Sequence, residues 1–307
     1  MPSTVSADLS PAPFGRVLTA MVTPFDADGA VDLVAAARVA THLVDHGHDG
    51  IVVSGTTGES PTTDDAEQVA LLRAVLDAVE GRAQVVAGVG TNDTRHTVEK
   101  ARQAEAAGAH GLLVVAPYYS KPPQAGLLAH VRTVADATGL PVMLYDIPGR
   151  TGVPFETETL VRAAEHPRIV AVKDAKGDLY AGSWVMARTD LAYYSGDDAN
   201  NLAWLTHGAV GVVSVVGHVA GRQHATLVEA VLESDLATAQ RVYHEVLPAV
   251  RGIMTRTQGA IMAKAALQLV GVLDNRAVRL PLVEATDEQV ALLRSDLADA
   301  ALLEPTA

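Results

Sequence analysis

Short apolar segments that recur along the chain constrain the fold more than any other feature of the sequence. Eight such segments, rich in valine, leucine and isoleucine, start roughly 20 to 35 residues apart. Most of them lack the polar alternation of a half-exposed strand, which is typical of parallel strands covered on both faces. The segments are residues 17–25, 50–55, 83–90, 111–117, 140–146, 169–174, 191–196 and 211–217.

Helical patterns lie between these apolar segments. Residues 64–80 repeat valine and leucine on one stripe after an acidic first turn, and residues 94–107 repeat the pattern more weakly. Three connections between a predicted helix and the next strand share the sequence pattern Gly-x-x-Gly; each connection is called a joint below. The first glycine suits a left-handed helix C-cap, and the second permits a tight entry into the strand. The three joints are Gly47/Gly50, Gly108/Gly111 and Gly208/Gly211.

Eight strand–helix units of this length predict an α/β fold, a (β/α)8 TIM barrel followed by a C-terminal helical segment. A doubly wound open sheet is the alternative. We expect residues 1–13 to be a disordered or frayed tail, residues 14–222 to hold the barrel strands and helices, and residues 223–307 to hold a closing helix and the C-terminal helical segment. The helical patterns after the last strand cover residues 222–249, 257–271 and 286–304.

Composition excludes several classes of function. The formal net charge of −13 argues against a nucleic-acid partner or an anionic membrane, because an acidic surface attracts neither. The chain has no cysteine, which excludes disulfides, thiolate metal sites and a cysteine nucleophile. We see no signal peptide at the start of the sequence and no apolar run of about 18 residues. The sequence therefore predicts a cytoplasmic globular protein.

The barrel prediction sorts candidate residues by position. Residues just after a strand lie on the catalytic face of a TIM barrel, whereas residues between a helix and the next strand lie on the opposite face. His46, His48 and Asp49 precede the second strand, so we expect solvated loop histidines there and no metal site. Residues 88–90 read Gly-Val-Gly after the third strand, a weak nucleotide-binding signal without a third glycine. The same expectation of solvated loops holds for His110 and His207.

Residue types that carry imine chemistry collect at the predicted catalytic face. Lys173 ends the sixth apolar segment, where a lysine is almost never buried unless it is paired or used in chemistry. Burial would disfavour its ammonium form and free the lone pair for attack on a ketone. Tyr145, one strand away, is a candidate proton shuttle, and Thr56 is placed to hydrogen-bond with it and relay protons.

Two further groups predict the charge of the substrates. The Gly-Thr-Thr-Gly-Glu turn at residues 55–59 offers backbone N–H groups to a carboxylate. Arg150 offers a bidentate fork to a second carboxylate. The site is therefore predicted to take a keto acid together with a partner that carries its own carboxylate.

Four motifs in this order resemble the pyruvate-dependent class I aldolases of the sialic-acid lyase and dihydrodipicolinate synthase superfamily. They are GTTGES (55–60), PYYSKPPQ (117–124), YDIPGRT (145–151) and VKDAKGD (172–178). The resemblance to the synthase members implies condensation of pyruvate with L-aspartate 4-semialdehyde on the diaminopimelate route to lysine. It also implies a homotetramer, built as a dimer of dimers, and no metal or organic cofactor.

The resemblance assigns roles to residues at matching positions. Lys173 would form the Schiff base with pyruvate. Tyr145, Thr56 and Tyr119 would form a proton relay, with Tyr119 reaching in from a neighbouring subunit. Substrate binding would fall to Thr57 for the pyruvate carboxylate, Arg150 for the semialdehyde carboxylate, and Gly196 and Val213 for backbone contacts.

The positions that bind inhibitory lysine in lysine-sensitive members of the superfamily differ in part here. Asp65, Gln68 and His96 depart from the lysine-sensitive pattern, whereas Ser60, Asn92 and Tyr118 agree with it. We therefore expect weak or absent inhibition by lysine.

Two other functions remain open. A sialic-acid or 2-keto-3-deoxy sugar-acid lyase on the same barrel would use Lys173 and Tyr145 equally, but such enzymes generally lack an arginine at position 150. A catalytically inactive barrel kept for binding or regulation would have no need of both Lys173 and Tyr145.

Overall fold

The computed structural model describes residues 11–303, in which eight parallel strands close into a barrel. Each strand pairs with the next, and the last pairs with the first. The predicted (β/α)8 barrel is therefore confirmed, and the open sheet is wrong. The strands are β1 (Val17–Ala20), β2 (Gly50–Val53), β3 (Gln84–Gly88), β4 (Gly111–Val115), β5 (Val142–Asp146), β6 (Ile169–Asp174), β7 (Ala192–Ser195) and β8 (Gly211–Ser214).

Helices cover the outside of the barrel and extend past β8. They are α1 (Leu33–Asp45), α2 (Asp65–Val79), α3 (Thr94–Ala107), α4 (Gln124–Asp136), α5 (Pro148–Thr151), α6 (Thr157–Ala163), α7 (Leu179–Met186), α8 (Asn201–Thr206), α9 (Gly217–Leu232), α10 (Leu236–Val250), α11 (Gly259–Leu269) and α12 (Asp287–Asp299). Short 3-10 turns lie at Ser60–Thr62 and Asp198–Asn200, and a π-helical turn lies at Arg251–Thr255.

Local sequence signals set the helix ends. Asp64 begins α2 with a capping box, in which its carboxylate accepts the Glu67 N–H and the Glu67 carboxylate accepts the Asp64 N–H. The region 222–249 is two helices, because α9 ends at Leu232 and the Asp235 side chain starts α10 by accepting the Thr238 N–H. Most of the predicted tail, residues 1–10, lies outside the described residues. The boundary between residues 222 and 223 stays a prediction.

Side chains on the strands alternate between the barrel interior and the surrounding helices. On β5, Met143 and Tyr145 belong to the inner cluster, whereas Leu144 packs against the helices. On β6, Ala171 belongs to the inner cluster and Val172 to the outer one. Because strand side chains repeat every two residues, the next residue of β6, Lys173, also points into the barrel.

The N-terminal segment closes the end of the barrel opposite the catalytic face. Phe14 is fully buried there. A Cβ added to Gly50 would lie 2.4 Å from the Phe14 carbonyl oxygen, and one added to Gly111 would lie 2.3 Å from Phe14 Cε1. A Cβ added to Gly211 would lie 2.2 Å from the Arg16 carbonyl oxygen. The second glycine of each joint is therefore required by this close approach. The first glycines have the predicted left-handed φ, +93° at Gly47, +93° at Gly108 and +102° at Gly208.

The histidine joint before β2 differs from the expectation. His48 is 3% exposed, and its Nε2 lies 2.7 Å from Thr19 Oγ1 while its Nδ1 lies 2.8 Å from the Leu43 carbonyl oxygen. The prediction of a solvated loop histidine is therefore wrong at position 48, because the ring bridges β1 and α1 inside the protein. Asp49 is also structural, since its carboxylate accepts the Arg16 N–H at 2.8 Å.

Residues 11–303 lack two features. No group of three histidine, aspartate or glutamate side chains is arranged to hold a metal ion. No helix in the same range has the length and apolar character needed to cross a membrane.

The buried histidines predict a loss of stability in acid. Burial lowers the pKa of His48 to about 3 and that of His218 to about 4, from 6.5. The unfolded state therefore binds more protons below pH 6.5, so the stabilisation is complete above that pH and is lost as the pH falls. As the pH falls from 6.5 to 5, each of the two histidines should lower the free energy of unfolding by about 2 kcal/mol.

Urea unfolding at pH 7.5, 6 and 5 measures this loss. The double variant His48→Gln/His218→Gln, whose side chains do not titrate, should show a shallower dependence on pH than the native chain. Equal slopes for the two proteins would contradict the assignment.

Candidate active site

A cavity of about 360 Å³ opens at the carboxyl ends of β2 to β5, the end of a TIM barrel where catalytic sites lie. Four of the predicted site residues line it, namely Thr56, Tyr119, Tyr145 and Arg150. The other lining residues are Ser54, Gly55, Ser60, Pro61, Gly88, Gly90, Leu113, Val115, Tyr118, Ile147 and Thr151.

Lys173 does not line this cavity but contacts a residue that does. The pairing of β5 with β6 sets Tyr145 opposite Lys173. The Lys173 Nζ lies 4.3 Å from the centre of the Tyr145 ring, and the lysine is only 4% exposed. The amine is therefore separated from bulk water and touches the cavity through the tyrosine.

Burial changes the protonation of Lys173. It lowers the pKa of this amine from 10.5 to about 8; the Asp198 carboxylate opposes the shift, and the Arg150 guanidinium adds to it. At pH 7 about one-tenth of the amine is then neutral, compared with about three in ten thousand for a lysine in water. This fraction makes Lys173 a usable nucleophile at neutral pH.

The phenol of Tyr145 stays protonated. Burial raises its pKa to about 12, although the charge of Arg150 and a hydrogen bond with the Thr56 side chain act in the opposite direction. A protonated phenol beside a partly neutral amine can donate a proton to an oxygen that leaves the carbon bound to that amine. The three side chains come from β5, β6 and the turn after β2, so only the closed barrel brings them together.

The Asp198 carboxylate, at the start of the 3-10 turn after β7, acts electrostatically on Lys173. Its Oδ1 accepts the Ser214 hydroxyl at 2.5 Å, and its Oδ2 accepts the N–H groups of Val215 and Val216 at 2.8 and 3.0 Å. The carboxylate is buried. A negative charge held in this way favours a positive iminium on Lys173 over a neutral carbinolamine. No role for Asp198 is predicted from the sequence.

Neither Gly196 nor Val213 lines the cavity, and Gly196 lies against Lys173. A Cβ on Gly196 would lie 2.8 Å from Lys173 Cγ and 3.0 Å from Lys173 Cε, so the glycine leaves room for the lysine side chain. Val213 is buried among the side chains that fill the barrel. Thr57 is buried in the turn after β2 and does not line the cavity either.

The turn after β2 presents backbone donors. Within residues 11–303, the N–H groups of Thr56 and Thr57 have no protein acceptor. The turn is closed by the Glu59 N–H, which donates to the Thr56 carbonyl at 3.1 Å, and by the Ser60 N–H, which donates to the Gly55 carbonyl at 3.3 Å. Adjacent unpaired N–H groups of this kind suit an anion.

Gly88 and Gly90 shape the site in a way that was not predicted. A Cβ on Gly88 would lie 2.4 Å from the Ser54 carbonyl oxygen, and one on Gly90 would lie 2.6 Å from the Val115 nitrogen. Glycine at both positions lets the turn after β2 and the end of β4 come close to β3. The Gly-Val-Gly sequence at residues 88–90 is the sequence feature that corresponds to this close packing. From the sequence alone it is only a weak nucleotide-binding signal.

Tyr119 has an unusual conformation. Its φ is +73°, which a non-glycine residue rarely adopts, and its side chain is 90% exposed although it borders the cavity. The backbone thus holds a large aromatic side chain out into solvent at the edge of the cavity.

The predicted effector positions are occupied by internal contacts. His96 Nε2 lies 2.9 Å from an Asp65 carboxylate oxygen. The Gln68 amide donates to the carbonyls of Ser60 and Thr63 at 3.1 and 3.2 Å. The His96 ring and the Gln68 amide nitrogen are therefore already paired within one chain, whereas Gln68 Oε1 is buried without a hydrogen-bond partner in the described part of the chain.

Comparisons with known proteins identify the family of the chain. Residues 13–300 match the Dihydrodipicolinate synthetase family. The 4-hydroxy-tetrahydrodipicolinate synthase of Kineococcus radiotolerans is 70% identical over 290 residues, which are 94% of this chain and 94% of that protein. The enzyme of the same name from Acidothermus cellulolyticus is 68% identical over 300 residues, 98% of this chain and 97% of that protein.

Solved structures give the same result. The lysine-bound synthase (DHDPS) of Cyanidioschyzon merolae superposes with a TM-score of 0.91 at 41% identity, over 95% of this chain and all of that one. The synthase DapA-2 of Bacillus anthracis superposes with a TM-score of 0.90 at 39% identity, over 93% of this chain and 98% of that one. The chain therefore belongs to the dihydrodipicolinate synthetase family.

Proposed function

We propose that this protein condenses pyruvate with L-aspartate 4-semialdehyde to 4-hydroxy-tetrahydrodipicolinate through a Schiff base on Lys173. The observation that carries the proposal is the buried amine of Lys173, with its pKa lowered to about 8, against the protonated phenol of Tyr145. The names of the relatives, at up to 70% identity, support the choice of substrates.

The chemistry begins with attack of the neutral Lys173 amine on C2 of pyruvate. The resulting carbinolamine loses water when Tyr145 donates a proton to its oxygen, with Thr56 relaying protons. Loss of a proton from the methyl carbon then gives an enamine, which adds to the aldehyde carbon of the semialdehyde. The amino group of the semialdehyde replaces Lys173 at C2, which closes the ring and frees the lysine.

Two cationic or hydrogen-donating groups would hold the two carboxylates. The unpaired N–H groups of Thr56 and Thr57, with the Thr57 hydroxyl, suit the carboxylate of pyruvate. Arg150 lines the cavity and has no ion-pair partner within residues 11–303, so its guanidinium is free for the carboxylate of the semialdehyde. This arginine favours the semialdehyde over the sugar aldehyde of the lyases.

Borohydride trapping and a coupled assay test the proposal together. With pyruvate and borohydride, the mass of the Lys173 peptide should rise by the reduced pyruvyl group. The semialdehyde should then be turned over, whereas N-acetylmannosamine and glyceraldehyde should not. Turnover of a sugar aldehyde instead would favour the lyases, and an unmodified Lys173 would favour the inactive barrel.

Assembly is part of the proposal. We expect a homotetramer built as a dimer of dimers, in which Tyr119 of one subunit completes the proton relay of its neighbour. The exposed ring and left-handed backbone of Tyr119 support this. One solved neighbour is described as a monomeric variant, so sedimentation must accompany the assay. Activity should fall on dilution to monomers, and full activity in a proven monomer would contradict the role of Tyr119.

Lysine should inhibit the enzyme weakly or not at all. A bound lysine would need several free polar groups, but His96 is paired with Asp65 and the Gln68 amide nitrogen donates to two carbonyls, which leaves Gln68 Oε1 as the buried atom of these two side chains that has no partner among residues 11–303. In a titration with lysine, the enzyme should keep more than half of its uninhibited activity at a lysine concentration of about 1 mM. A dissociation constant of this size corresponds to a binding free energy of only about 4 kcal/mol. Half-inhibition well below 1 mM would show that these contacts rearrange.

A further inference from the structure

The C-terminal segment contacts the substrate turn through buried charges. We call residues 55–60, which include Thr56 and Thr57, the substrate turn. Its Glu59 turns away from the cavity and meets Lys264 of α11, with Lys264 Nζ 2.5 Å from Glu59 Oε1. The two side chains are each 1% exposed. An ion pair therefore joins the turn after β2 to a helix about 200 residues later, outside the eight strand–helix units.

Both members of this pair are held by further contacts. The second carboxylate oxygen of Glu59 accepts the Arg279 N–H at 3.0 Å. Lys264 Nζ also donates to the Ala277 carbonyl at 2.7 Å and lies 4.1 Å from the centre of the Phe25 ring. Each charge thus has partners on more than one side, which fixes the position of the Glu59 side chain.

The Arg279 side chain contacts the segment that follows the substrate turn. Its guanidinium donates to the Thr62 carbonyl at 2.7 Å and pairs with Glu67 at the start of α2. Arg279, which follows α11, therefore holds Glu59 of the substrate turn and also Thr62, the last residue of the 3-10 turn at Ser60–Thr62.

Stability alone does not account for this arrangement. A buried ion pair is often no more stabilising than apolar residues of the same size, because both charges lose their hydration. Glu59 also has a left-handed backbone, with φ of +54°, which is unfavourable for a residue with a side chain. An unfavourable backbone conformation, held by an ion pair that loses its hydration on burial, is typical of a segment that must keep one geometry.

We propose that Glu59 is a positioning residue, which Lys264 and Arg279 hold so that the substrate turn presents its free N–H groups to the carboxylate of pyruvate. The role rests on the proposed function. It makes the C-terminal helical segment part of the active-site support, although none of its residues up to position 303 lines the cavity.

A titration of pyruvate against borohydride labelling of Lys173 tests this role. The labelled fraction is measured by mass, and it reports a midpoint and a plateau separately. Glu59→Gln and Lys264→Met should each raise the midpoint about tenfold with the plateau unchanged, because Lys173 lies on β6 and is not held by the turn. The double variant should shift no further than the single variants, since all of them break the same pair.

Asp296→Asn is the matched control. Asp296 is another buried carboxylate of the C-terminal segment, and it accepts the Nε–H groups of Arg251 and Arg256 at 2.8 and 3.0 Å without contacting the substrate turn. Its loss should lower the melting temperature and leave the pyruvate midpoint within twofold. If Glu59→Gln does not fold, Lys264→Met gives the same readout from the other side of the pair.

The outcomes separate the two proposals. A labelled native chain with unshifted midpoints in both variants would overturn the positioning role alone. A lower plateau at an unchanged midpoint would show a merely structural pair and would also overturn it. An unlabelled native chain would overturn the Schiff base itself, and with it the role of Glu59.

Discussion

Replacement of Lys173 by methionine should abolish turnover and make the protein more stable. Without the amine no Schiff base forms, and kcat/KM should fall by at least about 10⁴-fold. Methionine fits a buried site of this shape without a charge. Since the pKa of Lys173 is about 8 in the folded chain and 10.5 in water, its burial costs about 3 kcal/mol at pH 7. The variant should recover an amount of this order.

The sign of the pH dependence gives a second readout for Lys173. The unfolded chain binds more protons here between pH 8 and 10.5, so the native protein should gain stability as the pH rises through this range. Lys173→Met should lack this gain. Urea unfolding at pH 7, 8.5 and 10 measures it.

Lys176→Met is the control for the trapping experiment. Lys176 lies three residues after Lys173, with its Nζ 3.3 Å from an Asp146 carboxylate oxygen. This variant should still be labelled at Lys173 by pyruvate and borohydride. Turnover within tenfold of native in Lys173→Met, or an adduct at a different lysine, would contradict the assigned nucleophile.

The barrel could be predicted because its signals are local. Each strand is marked by a continuous apolar segment, and three of the helix ends are marked by a glycine. The left-handed backbone of Gly47, Gly108 and Gly208 could therefore be predicted without knowledge of tertiary contacts. The reason for the second glycine of each joint could not be found in the same way. Gly50, for example, is required by the approach of Phe14, a contact that exists only after the barrel closes.

Histidine at the same joints shows the limit of the positional rule. The rule placed His48 correctly on the face opposite the cavity, but it said nothing about burial. The ring is enclosed because Thr19 on β1 and Leu43 at the end of α1 both offer hydrogen bonds to it. Such a bridge joins residues 29 and 5 positions away, and only one of these separations is within reach of a local pattern.

The site residues also divide into those that local sequence signals could predict and those whose role depends on tertiary contacts. Strand ends predicted where Lys173, Tyr145 and Thr56 would meet, since parallel strands bring their carboxyl ends to one face. The sequence could not show that Glu59 faces away from the cavity, because its partner Lys264 lies 205 positions later. Asp198 was equally hidden, since its role depends on the N–H groups after β8.

Replacement of Tyr145 by phenylalanine should lower kcat by about 10²- to 10³-fold, the usual contribution of one general acid. The change removes only the hydroxyl, so the ring stays against Lys173 and burial still lowers the pKa of the amine. Carbinolamine formation should therefore survive, while its dehydration slows. In a rapid-quench experiment with borohydride, the reduced adduct should accumulate more slowly by a similar factor and reach the native plateau.

Tyr194→Phe is the matched control, because β7 sets Tyr194 opposite Lys173 on the other side of β6. Its hydroxyl, however, points to the closed end of the barrel, where it donates to the Gly15 carbonyl at 2.9 Å. The hydroxyl also accepts the Phe14 N–H at 3.3 Å, so this variant should lose about 2 kcal/mol of stability with the two hydrogen bonds and keep native kcat. Equal losses of kcat in the two variants would mean that packing around Lys173, and not the proton of Tyr145, limits the reaction.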